Sequence, residues 1–217
     1  MLLLSVAYFA PIQYYSCLVR HGHVVIERHE NYSRQSYRNR CTILTTNGLL
    51  DLVVPVVKPD KPKIPITEVE ISYDTPWQKL HFKAIESAYR RSPFYEYYID
   101  ELMMFFNCRH RYLYEMNMQI MRTMCGLMKI PFTAQESREY MKPSEEIIDL
   151  RNRIHPKTKQ PPVDAEFVSP HYTQVFTDKW GFKPNLSILD LLFNTGPEAK
   201  KMLRGIKGGG KSFFLKK

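Results

Sequence analysis

Between His29 and Cys41 the chain reads HENYSRQSYRNRC, a run of amides, phenols and three arginines where a fold needs only a turn into a strand. Two guanidiniums side by side, those of Arg38 and Arg40, can fork onto a phosphate or a carboxylate. Around them Tyr32, Gln35, Tyr37 and Asn39 carry the donors and acceptors that suit the polar edge of a sugar or nucleotide. The plainer alternatives are a solvated strand edge whose arginines discourage edge-to-edge pairing, and a buried network tying a loop to its neighbour.

Other reactive types are scattered. His81 sits four residues after Trp77, on one face of a helical pattern that is otherwise apolar. A desolvated imidazole there needs a partner, and serves either as a tuned general base or as a satisfied core histidine. His21, His23, Glu27, His29 and Glu30 have metal-capable chemistry, but only His21 and His23 share a strand-like face, so no metal site is assigned. Asn185 precedes a helix start whose free amides could hold an anion. His155 and His171 fall near turns and rank as weaker candidates. Residues 205 to 212, GIKGGGKS, match the phosphate-loop pattern G-x-x-x-x-G-K-S, yet a phosphate cradle needs a strand before it and a helix after it. Here a helical pattern precedes the string and only five residues follow it.

The elements that must position these residues follow from periodicity. Strand signals fill the first third: Leu2 to Tyr8, Val24 to Glu27, and two runs, Arg40 to Thr46 and Leu49 to Val57, flanking Asn47-Gly48. A two-residue type I′ turn at Asn47-Gly48 sets Thr46 opposite Leu49, Ile43 opposite Leu52 and Cys41 opposite Val54. Cys41, Ile43, Leu50, Leu52 and Val54 then share one apolar face, and a period of two carried backwards puts Tyr37 and Asn39 inward, Arg38 and Arg40 outward. Val69, Ile71 and Tyr73 alternate with polar neighbours. A helix starts at Thr75-Pro76-Trp77-Gln78, with Thr75 as N-cap and Gln78 as capping-box partner. Its apolar stripe is Trp77, Leu80, His81, Ala84, Ile85 and Ala88. From Phe94 to Met128 the pattern stays helical, and Leu113, Met116, Ile120, Met124 and Met128 read as core filling. Near the end, Ser187 as N-cap, Asp190 at the third helical position and Leu186 facing Leu191 make a helix-start signature, closed by Gly196-Pro197. A helix fits between Pro11 and Val24 to carry a crossover. The class is α/β, a mixed sheet from the strand-rich N-terminal third with helices from the middle and C-terminal regions packed on it.

With 44% hydrophobic and 24% charged residues in 217, the chain has enough apolar material for one continuous core, expected over residues 1 to 204. The apolar start lacks a basic leader and is interrupted by Pro11 and Gln13, so it reads as a buried strand and not as a signal peptide. No run is long enough to span a membrane. Four scattered cysteines, Cys17, Cys41, Cys108 and Cys125, point to free buried thiols and a cytoplasmic location. Of the net charge of +9, seven lysines and arginines follow Glu198 without a single acid, so residues 1 to 199 carry only +2. The basic Gly/Lys-rich stretch 205 to 217 is therefore a tail, able to touch anionic lipid or RNA but more simply solvated.

Six separated signatures occur in order: Tyr8-Phe9-Ala10-Pro11-Ile12-Gln13-Tyr14-Tyr15; Glu30-x-Tyr32-x-x-Gln35-Ser36-Tyr37-Arg38-Asn39-Arg40-Cys41; Val54-Pro55-Val56; Trp77-x-x-x-His81; Ala88-Tyr89-x-x-Ser92-Pro93-Phe94-Tyr95-Glu96-Tyr97-Tyr98; and Gln174-Val175-Phe176 with Gly181-Phe182-x-Pro184-Asn185-Leu186-Ser187-Ile188-Leu189-Asp190-Leu191-Leu192-Phe193. From about Leu4 to Glu198 the chain resembles the bacterial WbqC-like family. It departs from the wider family pattern where a Gln-Pro pair and paired aspartates are expected; Val6-Ala7 and Arg28-His29 stand there, with Glu27 and Glu30 as the nearby acids. Members occur in gene clusters for O-antigen and other surface polysaccharides, so the resemblance implies a cytoplasmic, transferase-like step on an activated sugar, with no established reaction.

Together these readings describe a protein that binds a small anionic or nucleotide-activated metabolite. Arg38 and Arg40 hold the anion. Tyr32, Gln35, Tyr37, Asn39, Trp77 and Asn185 shape the rest of the binding site, while His81 and Glu30 are the candidates for proton transfer. No cofactor is identified. The alternative is a non-catalytic module docking on a membrane-associated assembly or RNA through its tail, although no nucleic-acid module signature is present.

Overall fold

A computed structural model of the chain describes residues 1–58, 61–157 and 167–205. Strands β1 (Leu2–Ser5) and β2 (Val24–Glu27) are buried along their whole length, which is why both read as unbroken apolar runs ending in a polar residue. Helix α1 (Ile12–Arg20) joins them and lets them pair in parallel, Leu2 opposite Val24 through Ser5 opposite Glu27.

The hairpin of β3 (Arg40–Thr45) and β4 (Gly48–Val53) corrects the expected register by two residues: Ile43 faces Leu50, Cys41 faces Leu52 and Thr45 closes on Gly48. Within the hairpin loop positive φ is confined to Gly48 at +104°, and Asn47 is not left-handed, so no type I′ turn forms at Asn47-Gly48. The Thr45 hydroxyl instead ties the loop, donating to the Gly48 carbonyl at 2.9 Å and accepting the Asn47 N–H at 3.2 Å. A slip of two preserves parity, so Cys41, Ile43 and Leu52 still face the core, whereas Leu50 is 39% exposed.

Helix α2 (Trp77–Tyr89) begins one residue later than its capping signature implies. No side chain caps it, and the Gln78 amide donates to the carbonyls of Phe105 and Cys108. Leu80, expected in its apolar stripe, is 58% exposed. The long helical pattern after Phe94 breaks into α3 (Tyr95–Leu102), α4 (Met104–Asn107) and α5 (Leu113–Leu127). The break has a cause. Residues 111–113 run extended beside 69–71, with Ile71 N–H bonded to Arg111 O and Leu113 N–H to Val69 O, while 70–72 also bond residues 55–57 on the other side. Val69, Ile71 and Tyr73 therefore alternate without forming a strand, held by isolated bridges. The methionine stripe of α5 is core filling: Met116, Ile120 and Met124 are fully buried.

Two short strands, β5 (Gln135–Glu136) and β6 (Ile148–Asp149), complete a four-stranded parallel sheet in the order β5-β2-β1-β6. The expected mixed sheet thus resolves into this parallel sheet and the separate antiparallel hairpin, within an α/β fold. After the short helix α6 (Thr177–Trp180), helix α7 (Ile188–Thr195) buries every residue but one and starts at Ser187, whose hydroxyl accepts the Leu189 N–H. Gly196 ends it at φ +53°, with the Phe94 ring so close that a Cβ would sit 2.5 Å from it. Helix α8 (Ala199–Arg204) packs back on α1. From residue 206 the basic tail and its glycine-rich string lie outside the described residues.

Candidate functional site

All four parallel strands end on a polar side chain: Ser5, Glu27, Glu136 and Asp149. In an open parallel sheet the carboxyl edge is where ligands bind, above all where connections leave to opposite sides, which here is between β1 and β6. That edge carries two buried ion clusters. Glu30 accepts two bonds from Arg38, Nε at 2.8 Å and Nη2 at 2.6 Å, and a third from Ser5 Oγ at 3.0 Å. Glu27, with no exposed surface, accepts from Arg151 Nη1, Ser137 Oγ and the backbone N–H groups of His29 and Met141. Arg151 also forks onto Asp149; burial pushes that carboxyl up, but the bonds and charge of Arg151 outweigh it and hold it below the usual range. Between the clusters lies a void of about 10 Å³, room for one water, lined by Ser5, Tyr37, Arg38, Arg151 and Ile154 among others.

On the outer side of the same segment an open recess of about 380 Å³ is lined by Tyr32, Arg34, Gln35, Asn39, Arg40, Val56 and Lys58. Three of these are cations and none is an acid. Burial pushes the Tyr32 phenol up, and the charges of Arg34, Arg40 and Arg38 pull it partly back down. Gln35 holds a left-handed backbone at φ +57°, uncommon for a residue with a branched-free long side chain, and its amide oxygen accepts from Lys157 Nζ. Asn39 donates to Val54 O at 3.0 Å, and its own amide oxygen is buried without a partner among the described residues.

The recess gathers Tyr32, Gln35, Asn39 and Arg40 from the expected set, and corrects the rest. Residues 37 and 38 form a turn, so the period of two does not extend back from β3. Arg38 is 3% exposed and committed to Glu30, while Arg40 reaches Asp51 at 3.3 Å; the two do not fork onto one anion. Tyr37 lines the inner void. Asn185 is not among the residues lining the recess; its side-chain oxygen accepts the Gln13 N–H and so caps α1, which fills the role of an anion at the start of α1. Trp77 is buried and edge-on to Tyr8 and His81. His81 is 5% exposed, and burial brings its pKa down to about 4. Its Nδ1 lies 3.0 Å from the Tyr8 hydroxyl, and it also bonds the Val53 backbone, so a neutral ring donates to that carbonyl and accepts from Tyr8. It is not among the residues lining the recess. Asp190, read as a helix-start acid, instead accepts from Tyr172 Oη at 2.6 Å and Gln174 Nε2 at 2.9 Å. Cys108 is exposed, unlike the other three free thiols.

Arg34 and Lys58 are the cations that sequence reasoning passed over. Arg34 stood inside the arginine-rich run, but Lys58 lies within the proline-rich stretch Pro55 to Pro65, a connection whose path no local periodicity predicts. Among the described residues no group of three His, Cys, Asp or Glu side chains could hold a metal, and no helix is long and apolar enough to cross a membrane.

An uncharacterised protein of Mycobacterium tuberculosis, Rv1507c, is 27% identical over 199 residues, covering 80% of this chain and 84% of that relative. No solved structure matches the chain significantly. The model of the WbqC-like protein family matches residues 7–160 and 163–202, a span that holds the carboxylates and arginines of both ion clusters and the recess, and the chain belongs to that family.

Proposed function

We propose that the chain binds an anionic or nucleotide-activated metabolite in the recess beside β3, and that it serves a group-transfer step of the kind the family's association with surface-polysaccharide genes implies. The observation that carries the reading is the lining itself: Arg34, Arg40 and Lys58 converge with no carboxylate among the lining residues, in a volume of about 380 Å³ that falls within the usual range for small-molecule sites. Three cations whose charges are only partly answered repel one another, and an anion relieves that repulsion. Tyr32, Gln35 and Asn39 supply the neutral polar contacts that fix orientation. Arg38 takes a different part from the one first assigned, holding the segment against Glu30 so that its neighbours face outward.

Titration of a nucleotide-sugar panel against the wild type and Arg34→Ala, Arg40→Ala and Lys58→Ala variants tests this reading. Each substitution is expected to weaken binding of at least one member about tenfold or more, with a steep salt dependence in the wild type. Binding that ignores all three substitutions, or no binding by any member, removes the recess as the site.

A further inference from the structure

A second cavity, of about 570 Å³, stands at the carboxyl ends of β2 and β5, where Arg28 follows the last residue of one strand and Glu136 ends the other. Its floor is a single stripe of α5, with Glu115, Met118, Gln119 and Arg122 at positions i, i+3, i+4 and i+7. Backbone pairing sets the wall beside it. Leu113 N–H bonds Val69 O at 2.9 Å and Glu70 bridges Tyr112, which brings Glu68 alongside the start of α5. The charged lining falls into two groups. Glu68 and Glu115 are exposed, and neither carboxylate has a hydrogen-bond or ion-pair partner among the described residues. Arg28 and Arg122 gather instead on Glu136, Nη1 of the first and Nη2 of the second each 3.5 Å from one of its oxygens, while the Tyr114 hydroxyl donates to it at 3.1 Å. A well-formed guanidinium–carboxylate bond spans about 2.7–2.9 Å, so both arginines are loosely held. The backbone positions of Glu115 and Arg122 lie two turns, or about 10 Å, apart along the helix.

We propose that this cavity binds a zwitterion, an amino acid whose ammonium meets Glu68 and Glu115 and whose carboxylate meets Arg28 and Arg122. A ligand carrying only positive charge gains from the two free glutamates but faces the guanidiniums, and one carrying only negative charge meets the reverse. An ammonium and a carboxylate on one molecule answer both groups. A metal ion does not fit the lining, because among the described residues no three carboxylate, imidazole or thiol groups are placed to hold one. The volume suits an organic molecule, and the buried Tyr114 and Met118 supply apolar surface for its body. The inference does not rest on the recess beside β3, with which this cavity shares no lining residue.

Calorimetric titration of the full chain with glycine, 4-aminobutyrate, butylamine and butyrate tests the assignment. Glycine carries its charges on one carbon and 4-aminobutyrate holds them apart, while the other two probes carry one charge each. At least one of the two amino acids is expected to bind about tenfold or more tighter than either singly charged probe. Glu115→Gln and Arg122→Gln, both at exposed positions of α5, are each expected to weaken that binding about tenfold while leaving the urea midpoint in place. Glu136→Gln separates recognition from wall-building. It removes the internal carboxylate that competes for Arg28 and Arg122 and keeps an acceptor for Tyr114, so it is expected to tighten amino-acid binding about threefold or more. A side chain that only shaped the wall would not raise affinity when changed. Butylamine or butyrate binding as tightly as both amino acids overturns the zwitterion. Binding that ignores both α5 substitutions, or no binding by either amino acid, overturns the site itself. A Glu136→Gln protein that binds the amino acid no tighter than the wild type overturns the placing of the carboxylate on Arg28 and Arg122.

Discussion

Arg38 and Glu30 form a two-pronged ion pair sealed under the outer rim of the recess, 2.8 and 2.6 Å along its two bonds, with 3% and 5% of the residues exposed. The arginine next but one, Arg40, is turned to the outside. One short segment therefore supplies an internal brace and an external cation, and substitutions separate the two functions. Removing the Glu30 charge leaves a buried guanidinium without its counter-ion, so Glu30→Gln is expected to cost on the order of 3–5 kcal/mol in urea unfolding. Arg40→Ala, half-buried and paired among the described residues with the exposed Asp51, is expected to cost less than about 1 kcal/mol while losing ligand. A Glu30→Gln protein of unchanged stability that has lost turnover would return the carboxylate to chemistry.

How much of this was legible in the sequence depends on the range of the interaction. Strands β1 and β2, the hairpin face, the Ser187 cap and the α5 stripe are set by neighbours within a few residues, and periodicity finds them. Strands β5 and β6 have two residues each, too few for any period, yet they complete the edge on which the candidate site stands. The partners of Arg38 and Arg151 lie as far as 124 residues away in the chain, and nothing local distinguishes an arginine bound for a buried carboxylate from one bound for solvent. Hence residue types in the 29 to 41 run pointed to a ligand while the assignment of individual arginines failed.

Gly196 is expected to tolerate no side chain. At φ +53° an alanine is strained, and its Cβ would meet the Phe94 ring at 2.5 Å, between two fully packed elements. Gly196→Ala should lower stability by about 2–4 kcal/mol, combining the backbone and overpacking costs. Thermal unfolding reads the effect, and the double variant with Phe94→Ala should recover the steric part but not the backbone part.

Gln35 gives a milder test of strain at the recess. Asparagine accepts the left-handed region more readily, so Gln35→Asn is expected to hold or raise stability by up to about 1 kcal/mol. Its shorter side chain loses the reach to Lys157, and ligand affinity should fall in the same protein. A variant that loses stability and keeps affinity contradicts the placing of Gln35 as a strained contact of the site.

His81 and Asp190 make opposing demands on stability across one range of pH. Burial lowers the His81 pKa from 6.5 to about 4, so the native state resists a proton that the unfolded chain accepts; its contribution is fully present above pH 6.5 and is lost as pH falls through about 4. Asp190 moves the other way. Burial raises it from 3.8 to about 6, against the hydrogen bonds from Tyr172 and Gln174, so its contribution is fully present below pH 3.8 and is lost as pH rises through about 6. Each is worth on the order of 3 kcal/mol, and over the shared window from about pH 4 to 6 they nearly cancel. Single substitutions should expose the hidden slopes. In His81→Gln the stability of the variant is expected to fall with rising pH across that window, after an overall loss of about 1–3 kcal/mol for the disrupted bonds to Tyr8 and Val53. In Asp190→Asn it should rise with rising pH instead. Urea unfolding of the three proteins at intervals through the window decides the matter: parallel pH profiles for wild type and both variants would show that neither group titrates in its buried setting as the fold requires.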